Sequence, residues 1–342
     1  MFDKLTKLLS DLKKADLNKL EPSLEWAKES ESVFVEEKCV LASIMINKIP
    51  KKDFDEFIFP CFSLFKNKKL VIKLIKESSK IEIADTVAVT DLFNSGNKNY
   101  GKFISNYCIM VSKEYIVKIL KNTFQSILDK TFDWKENSLD CQTTLFNIFE
   151  NFLTEIYSSV DIIPKNLKKI CTVVHNLVLK CFPSSKRFFV PSQILFDKIF
   201  CSCIISPNEY FSSDIEISSS HRESFIFFSK IMKSFASNST EENKLKSLRS
   251  SIHTLNLDII NEEINNISRK FSEKTLLFLY QLVSLEENDE TDEEEEKIDD
   301  NLLLKNVLLI MRMIRKLPNF SRDIGVILNV LPRTPQDFKD LI

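Results

Sequence analysis

Only three glycines occur in 342 residues, and that scarcity limits what the chain can fold into. Glycine supplies left-handed turns and close backbone approaches, and inside a helix it costs about 1 kcal/mol. A chain that withholds it reads as helical nearly throughout. Its remaining glycines mark where the backbone needs unusual torsions or must come close to another molecule. Gly96 and Gly101 fall in one stretch, Asp91-Leu92-Phe93-Asn94-Ser95-Gly96-Asn97-Lys98-Asn99-Tyr100-Gly101-Lys102.

Apolar periodicity agrees with an all-α chain. Leu5, Leu8, Leu9 and Leu12 recur at helical spacing, as do Leu145, Ile148, Phe149, Phe152 and Ile156, and again Phe228, Ile231, Met232 and Phe235. The pattern predicts one long helix over 23–47, ended by Ile49-Pro50, then shorter segments punctuated by Pro60. Helices follow over 70–77, 81–93, 97–110, 113–129, 144–160 and 165–181, the last opened by Pro164. Residues 191–207 form the most apolar helix. Between Ile194 and Ile205 only Asp197, Lys198 and Ser202 are polar, so this helix is central. A charged pair there is costly unless it is partnered or lies at a cleft. Further helices are expected over 244–257, 259–271, 273–285 and 302–316, with a short last one opened by Thr334-Pro335.

The formal net charge of −2 hides an asymmetry. Residues 286–300 hold eleven acidic side chains and one lysine, the composition of a solvated linker, which leaves the rest of the chain mildly basic. That balance suits an acidic partner surface and falls short of a nucleic-acid footprint. The eight cysteines are scattered without a Cys-x-x-Cys, and His175, His221 and His253 form no ligand set. Cys171 and His175 lie four apart on one helix, a spacing that packing explains. Reduced cysteines, the absence of a secretory signal and the absence of an apolar span together predict a cytoplasmic protein. No nucleophile–histidine pair, metal spacing or phosphate-binding Gly-Lys-Ser/Thr motif is present.

Three blocks together resemble the Ras GTPase-activating protein (RasGAP) family, neurofibromin most closely. In the glycine-bearing stretch, Leu92-Phe93 matches the start of the family's Leu-Phe-Arg-Gly-Asn finger loop. Asn94 stands where that loop has its arginine, and with one inserted residue the finger position is Ser95. Lys98 is the nearby cation. In the central helix the family carries Phe-Leu-Arg-x-x-x-Pro-Ala-x-x-x-Pro. Aligned on Ser206-Pro207, Phe196 is kept, Asp197 replaces leucine, Lys198 replaces arginine and Ser202-Cys203 replaces Pro-Ala. In the third block, Ser229-Lys230-Ile231-Met232-Lys233-Ser234-Phe235-Ala236 resembles Ser-Lys-Ile-Leu-Gln-Ser-Ile-Ala. The helix opened by Pro164 has a similar counterpart in the family.

The resemblance implies an all-α RasGAP-type domain with a GTPase-binding core at 67–258. Accessory helices are expected at 1–66, 259–285 and 301–342, with the acidic linker at 286–300. It implies a GTP-loaded Ras-type small GTPase as partner, bound at its switch regions through Phe93, Asp197, Ser202, Lys230 and Ser237. Asn94, Ser95 and Lys98 form the finger loop, and Lys198 takes the position of the arginine that steadies it. Lysine keeps the charge but loses the planar fork. The chain needs no cofactor of its own, because GTP and magnesium belong to the GTPase, and any membrane recruitment would be peripheral, through that partner. Without a finger arginine, stimulated hydrolysis is expected to be weak or absent. The alternatives are an activator that uses Lys98 or orders the GTPase's own residues, and a helical scaffold that binds no GTPase.

Overall fold

The computed structural model describes residues 23–35, 39–66, 70–93, 99–210, 217–238, 257–284 and 298–315. Among these, every regular element is helical and no strand occurs. The expected helices at 5–12 and 244–257, the one opened by Thr334 and most of the acidic linker lie outside the described residues. The chain divides into two compact units, one of Met1–Phe103 with Glu293–Ile342 and one of Ile104–Asp292. The first thus takes residues 67–103, which the sequence reading grouped with the core, and the second takes 259–285.

The first unit contains α1 (Leu24–Phe34), α2 (Val40–Lys48), α3 (Lys51–Lys66), α4 (Val71–Ala84) and α12 (Asp300–Arg315). Ser23 caps α1, its hydroxyl accepting from the Trp26 amide at 3.2 Å. The single helix expected over 23–47 is broken in two. Cys39 adopts a left-handed conformation, φ 49°, that a continuous helix does not contain. Ile49 is extended, as the residue before Pro50 must be. Pro60, expected to punctuate the chain, instead sits inside α3. The proline costs that helix about 3 kcal/mol. Phe54, Phe57, Ile58, Phe62, Leu64 and Phe65 are all buried on it, each worth roughly 1.5–3 kcal/mol, so packing outweighs the proline. Residues 71–84 likewise form one helix where two were expected.

Helix α12 packs on α3 and α1. Its start is set by Asp299, whose Oδ1 accepts from the amides of Asn301 and Leu302, both at 2.9 Å. The last residues of the acidic run are therefore structural, as a cap and a first turn.

The second unit takes α5 (Tyr100–Leu128) from Ile104 onward, α6 (Ser138–Tyr157), α7 (Lys165–Cys181) and the central helix α8. It also holds α9 (Ser219–Asn238), α10 (Leu257–Lys270) and α11 (Ser272–Leu282). The break expected near 111 appears as a kink. Ser112 has φ −129° and ψ 20°, and its hydroxyl donates to the Cys108 carbonyl.

Helix α8 is composite: α-helical Phe189–Ser192, π-helical Gln193–Phe200 and α-helical Cys201–Ile205. It lies at the heart of the unit, as its composition required. Phe152 meets Phe200 edge-on, with ring centres 5.3 Å apart, and Phe235 meets both Phe149 and Phe196 at 5.3 Å. Such edge-to-face pairs contribute beyond the area they bury and fix the helices in register. The connection between α5 and α6 is tied to α9, because Trp134 Nε1 donates to Ser224 Oγ at 3.1 Å and the Ser220 hydroxyl donates to the Phe132 carbonyl.

Candidate functional site

Helices α8 and α9 run antiparallel. Three cross-helix contacts fix their register: the Ser192 hydroxyl donates to the Ala236 carbonyl at 3.3 Å, Lys233 Nζ reaches Asp197 Oδ1 at 3.5 Å, and the Cys201 thiol donates to the Ser229 carbonyl at 3.2 Å. As α8 advances from Ser192 through Asp197 to Cys201, its partners on α9 run backwards from Ala236 through Lys233 to Ser229.

Both helices are buried except along one narrow line each. From Phe189 to Ile204, α8 reaches solvent only at Lys198 and Ser202, and Ile205 continues that line. From Ser224 to Ser237, α9 reaches solvent only at Ile226, Lys230, Lys233 and Ser237. These positions recur at intervals of three and four, so each set shares one helix face. The antiparallel register lays the two lines side by side as a single strip, basic towards Lys198 and Lys233 and apolar towards Ile205 and Ile226.

Four residues singled out from the sequence, Lys198, Ser202, Lys230 and Ser237, fall on this strip. Asp197 does not. It is only 8 % exposed, and its carboxylate is held by Lys198 Nζ at 2.7 Å and Lys233 Nζ at 3.5 Å. Its charge is met inside the protein by two ammonium groups. Burying a carboxylate is tolerated because two ammonium groups face it. Lys198 is 18 % exposed and Lys233 54 %, so the pair opens to solvent through Lys233.

The backbone under Lys198 is also secured. Its carbonyl accepts from Ser202 Oγ at 2.9 Å and from Ser105 Oγ, on α5, at 2.5 Å. Lys198 lies near the end of the π-helical segment, where the Cys201 amide still bonds the Phe196 carbonyl five residues back. π-Helical segments are rare and concentrate at functional sites.

Lys230 differs from its neighbours. Its Nζ is shielded from water and has no hydrogen-bond partner among the described residues. Burial accordingly lowers its pKa from the ordinary lysine value. An ammonium group in that condition gains from any anionic acceptor brought to it.

Phe93 belongs to the first unit and is buried there, its ring stacked on Tyr100 with centres 6.0 Å apart. It immediately precedes Asn94 in the glycine-bearing stretch, and Asn99, after Lys98, donates to the Ile49 carbonyl at 2.7 Å. Asn94, Ser95 and Lys98 lie outside the described residues.

Burial, with Asp197 nearby, raises the Cys201 thiol well above its ordinary range, and burial does the same for Cys171. Among the described residues, no group of three or more His, Cys, Asp or Glu side chains could hold a metal, and no helix is long and apolar enough to cross a membrane.

Residues 129–237 match the family model described as GTPase-activator protein for Ras-like GTPase, RasGAP. That part of the chain is similar to the RasGAP family. It spans about a third of the sequence, lies within the second unit and contains α6 to α8, α9 as far as Ser237, and the whole strip. Two of the three blocks that resemble the family fall inside it, and the finger-loop block falls outside.

The sequence reading placed Lys233 off the apolar stripe without assigning it to the site, and it missed Ser105, Ile205 and Ile226. Lys233 and Ile226 were legible as members of the α9 face that carries Lys230, at intervals of three and four. Ser105 was not, because its partner is 93 residues away.

Proposed function

We propose that this chain binds a GTP-loaded Ras-type small GTPase at its switch regions, through the strip on α8 and α9, and stimulates hydrolysis weakly or not at all. The observation that carries the reading is the coincidence of two independent facts. The RasGAP match covers α8 and α9, and the positions where these helices reach solvent form one line that carries Lys198, Lys230 and Lys233.

The weak stimulation follows from charge. In the Ras reaction, from which the figure is taken, an arginine finger is worth about 10³ to 10⁵ in rate, roughly 4 to 7 kcal/mol. It neutralises charge that develops between the phosphates in the transition state. Asn94 donates hydrogen bonds without charge, and Ser95 donates fewer. Binding does not need that charge, so it is retained where catalysis is lost.

The test is titration with GTP-loaded and GDP-loaded GTPases, alongside single-turnover hydrolysis with this protein in excess. Binding selective for the GTP form, with little acceleration, is the expected result. Acceleration of about a hundredfold or more, equivalent to nearly 3 kcal/mol, would make it a working activator and direct attention to Lys98. Failure to bind any GTP-loaded Ras-type GTPase would leave a scaffold and refute the proposal. Lys230→Glu places a negative charge on the strip and is expected to weaken binding about tenfold or more. Asn94→Arg is expected to restore hydrolysis only in part, because the position of the family's second arginine is held by Lys198, which lacks the planar fork.

A further inference from the structure

The lysine end of the strip accounts for attraction to an acidic surface, but it leaves the opposite end unexplained. Ile205 is 49 % exposed and Ile226 43 % exposed, on two helices that bury nearly every other apolar side chain they carry. The register that pairs Asp197 with Lys233 and Cys201 with Ser229 brings Ile205 level with Ile226 one turn further on. Two isoleucines on neighbouring helices then expose one shared patch.

We propose that Ile205 and Ile226 form an apolar anchor of the docking face, selecting GTPases that present an apolar side chain beside an acidic group. The inference rests on the GTPase-binding reading above and adds the chemistry of the partner. Ile226 lies seven residues from Lys233 on α9, about 10 Å along the helix axis at the usual rise. The partner surface that fits therefore carries its acidic group opposite Lys230 and Lys233, and an apolar side chain about 6 to 10 Å away, opposite the isoleucines. Charge complementarity at one end fixes orientation and encounter rate, while a desolvated apolar contact at the other sets dissociation. A lipid surface fits less well, because two isoleucines on a narrow line offer little area to insert and no amphipathic face.

The full chain is titrated against a panel of Ras-type GTPases loaded with a non-hydrolysable GTP analogue, in low salt and in about 0.5 M salt, where exposed charge pairs are screened. Ile205→Asp and Ile226→Asp are each expected to weaken binding tenfold or more under both conditions. Lys233→Gln is expected to weaken it mainly in low salt. Leu276→Asp, at a 51 % exposed leucine on α11, is the control and is expected to change nothing. All four positions are accessible to solvent, so the variants are expected to fold, and retained helical circular dichroism and thermal transitions would verify it.

Unchanged affinity in both isoleucine variants would overturn this inference while leaving the GTPase reading intact, as would loss of binding in Leu276→Asp alone. Binding to phosphatidylserine vesicles that the isoleucine variants abolish, with GTPase affinity unchanged, would assign the patch to a membrane and overturn it too. Absence of GTPase binding by the unmutated chain would remove both the reading and the inference.

Discussion

His175 gives this fold a defined weakness to acid. The ring is 5 % exposed on α7 and stacks on Phe188, with centres 6.0 Å apart and planes inclined by 10°. Burial first, and the neighbouring Arg187 cation second, lower its pKa from 6.5 to about 4. A base whose folded pKa is depressed binds fewer protons when folded than when unfolded. Its stability contribution is therefore complete above the unfolded pKa and is lost as pH falls through the interval from 6.5 to about 4. Linkage between those two values gives a loss of about 2 kcal/mol on going from about pH 7.5 to about pH 5.

The assay can be confined to the second unit. The chain has two tryptophans, Trp26 in the first unit and Trp134 in the second. In a Trp26→Phe background, urea unfolding followed by fluorescence reports Trp134 alone. Carboxylates also protonate over this interval, so the informative quantity is a difference of differences. The pH-dependent loss of stability in His175→Gln should be smaller than in the parent by about 2 kcal/mol, since glutamine does not titrate. Equal losses in the two proteins would refute the argument and mean that the ring is solvated or charged in the folded state.

Two further substitutions probe the strip. Asp197→Asn removes the carboxylate that faces Lys198 and Lys233 and should raise affinity for a GTP-loaded GTPase about threefold, roughly 0.6 kcal/mol, with a steeper dependence on salt. Weaker binding would show that Asp197 serves the partner after all. Ser105→Ala removes a hydrogen bond between elements and should cost about 1 kcal/mol in Trp134-monitored unfolding. Ser202→Ala removes only a bond within its own helix and should cost far less, so equal costs would refute the distinction.

The sequence by itself determined the class of structure and the identity of its central helix. Glycine scarcity and three-and-four periodicity leave few alternatives to an all-helical chain, and the near-absence of polar residues over 194–205 forces that segment inside. Helix α7 was expected over the same residues that it occupies, since Pro164 opens it and the apolar pattern ends at Cys181. The lysines were visible as residues lying off the apolar stripe of α9.

Tertiary structure decided which charges are available. Periodicity places Asp197 and Lys198 side by side on a helix without saying which faces inward. That outcome depends on Lys233, 36 residues further along the sequence, arriving at 3.5 Å to share the carboxylate. The same holds for Pro60, which local propensity reads as a break and which packing retains inside a helix because the apolar surface buried around it is worth more than the lost bond. Exposure is likewise a property of neighbours. Ile205 and Ile226 have the same side chain as the buried Ile204 and Ile231, and only the antiparallel packing of α8 on α9 leaves the first two facing water.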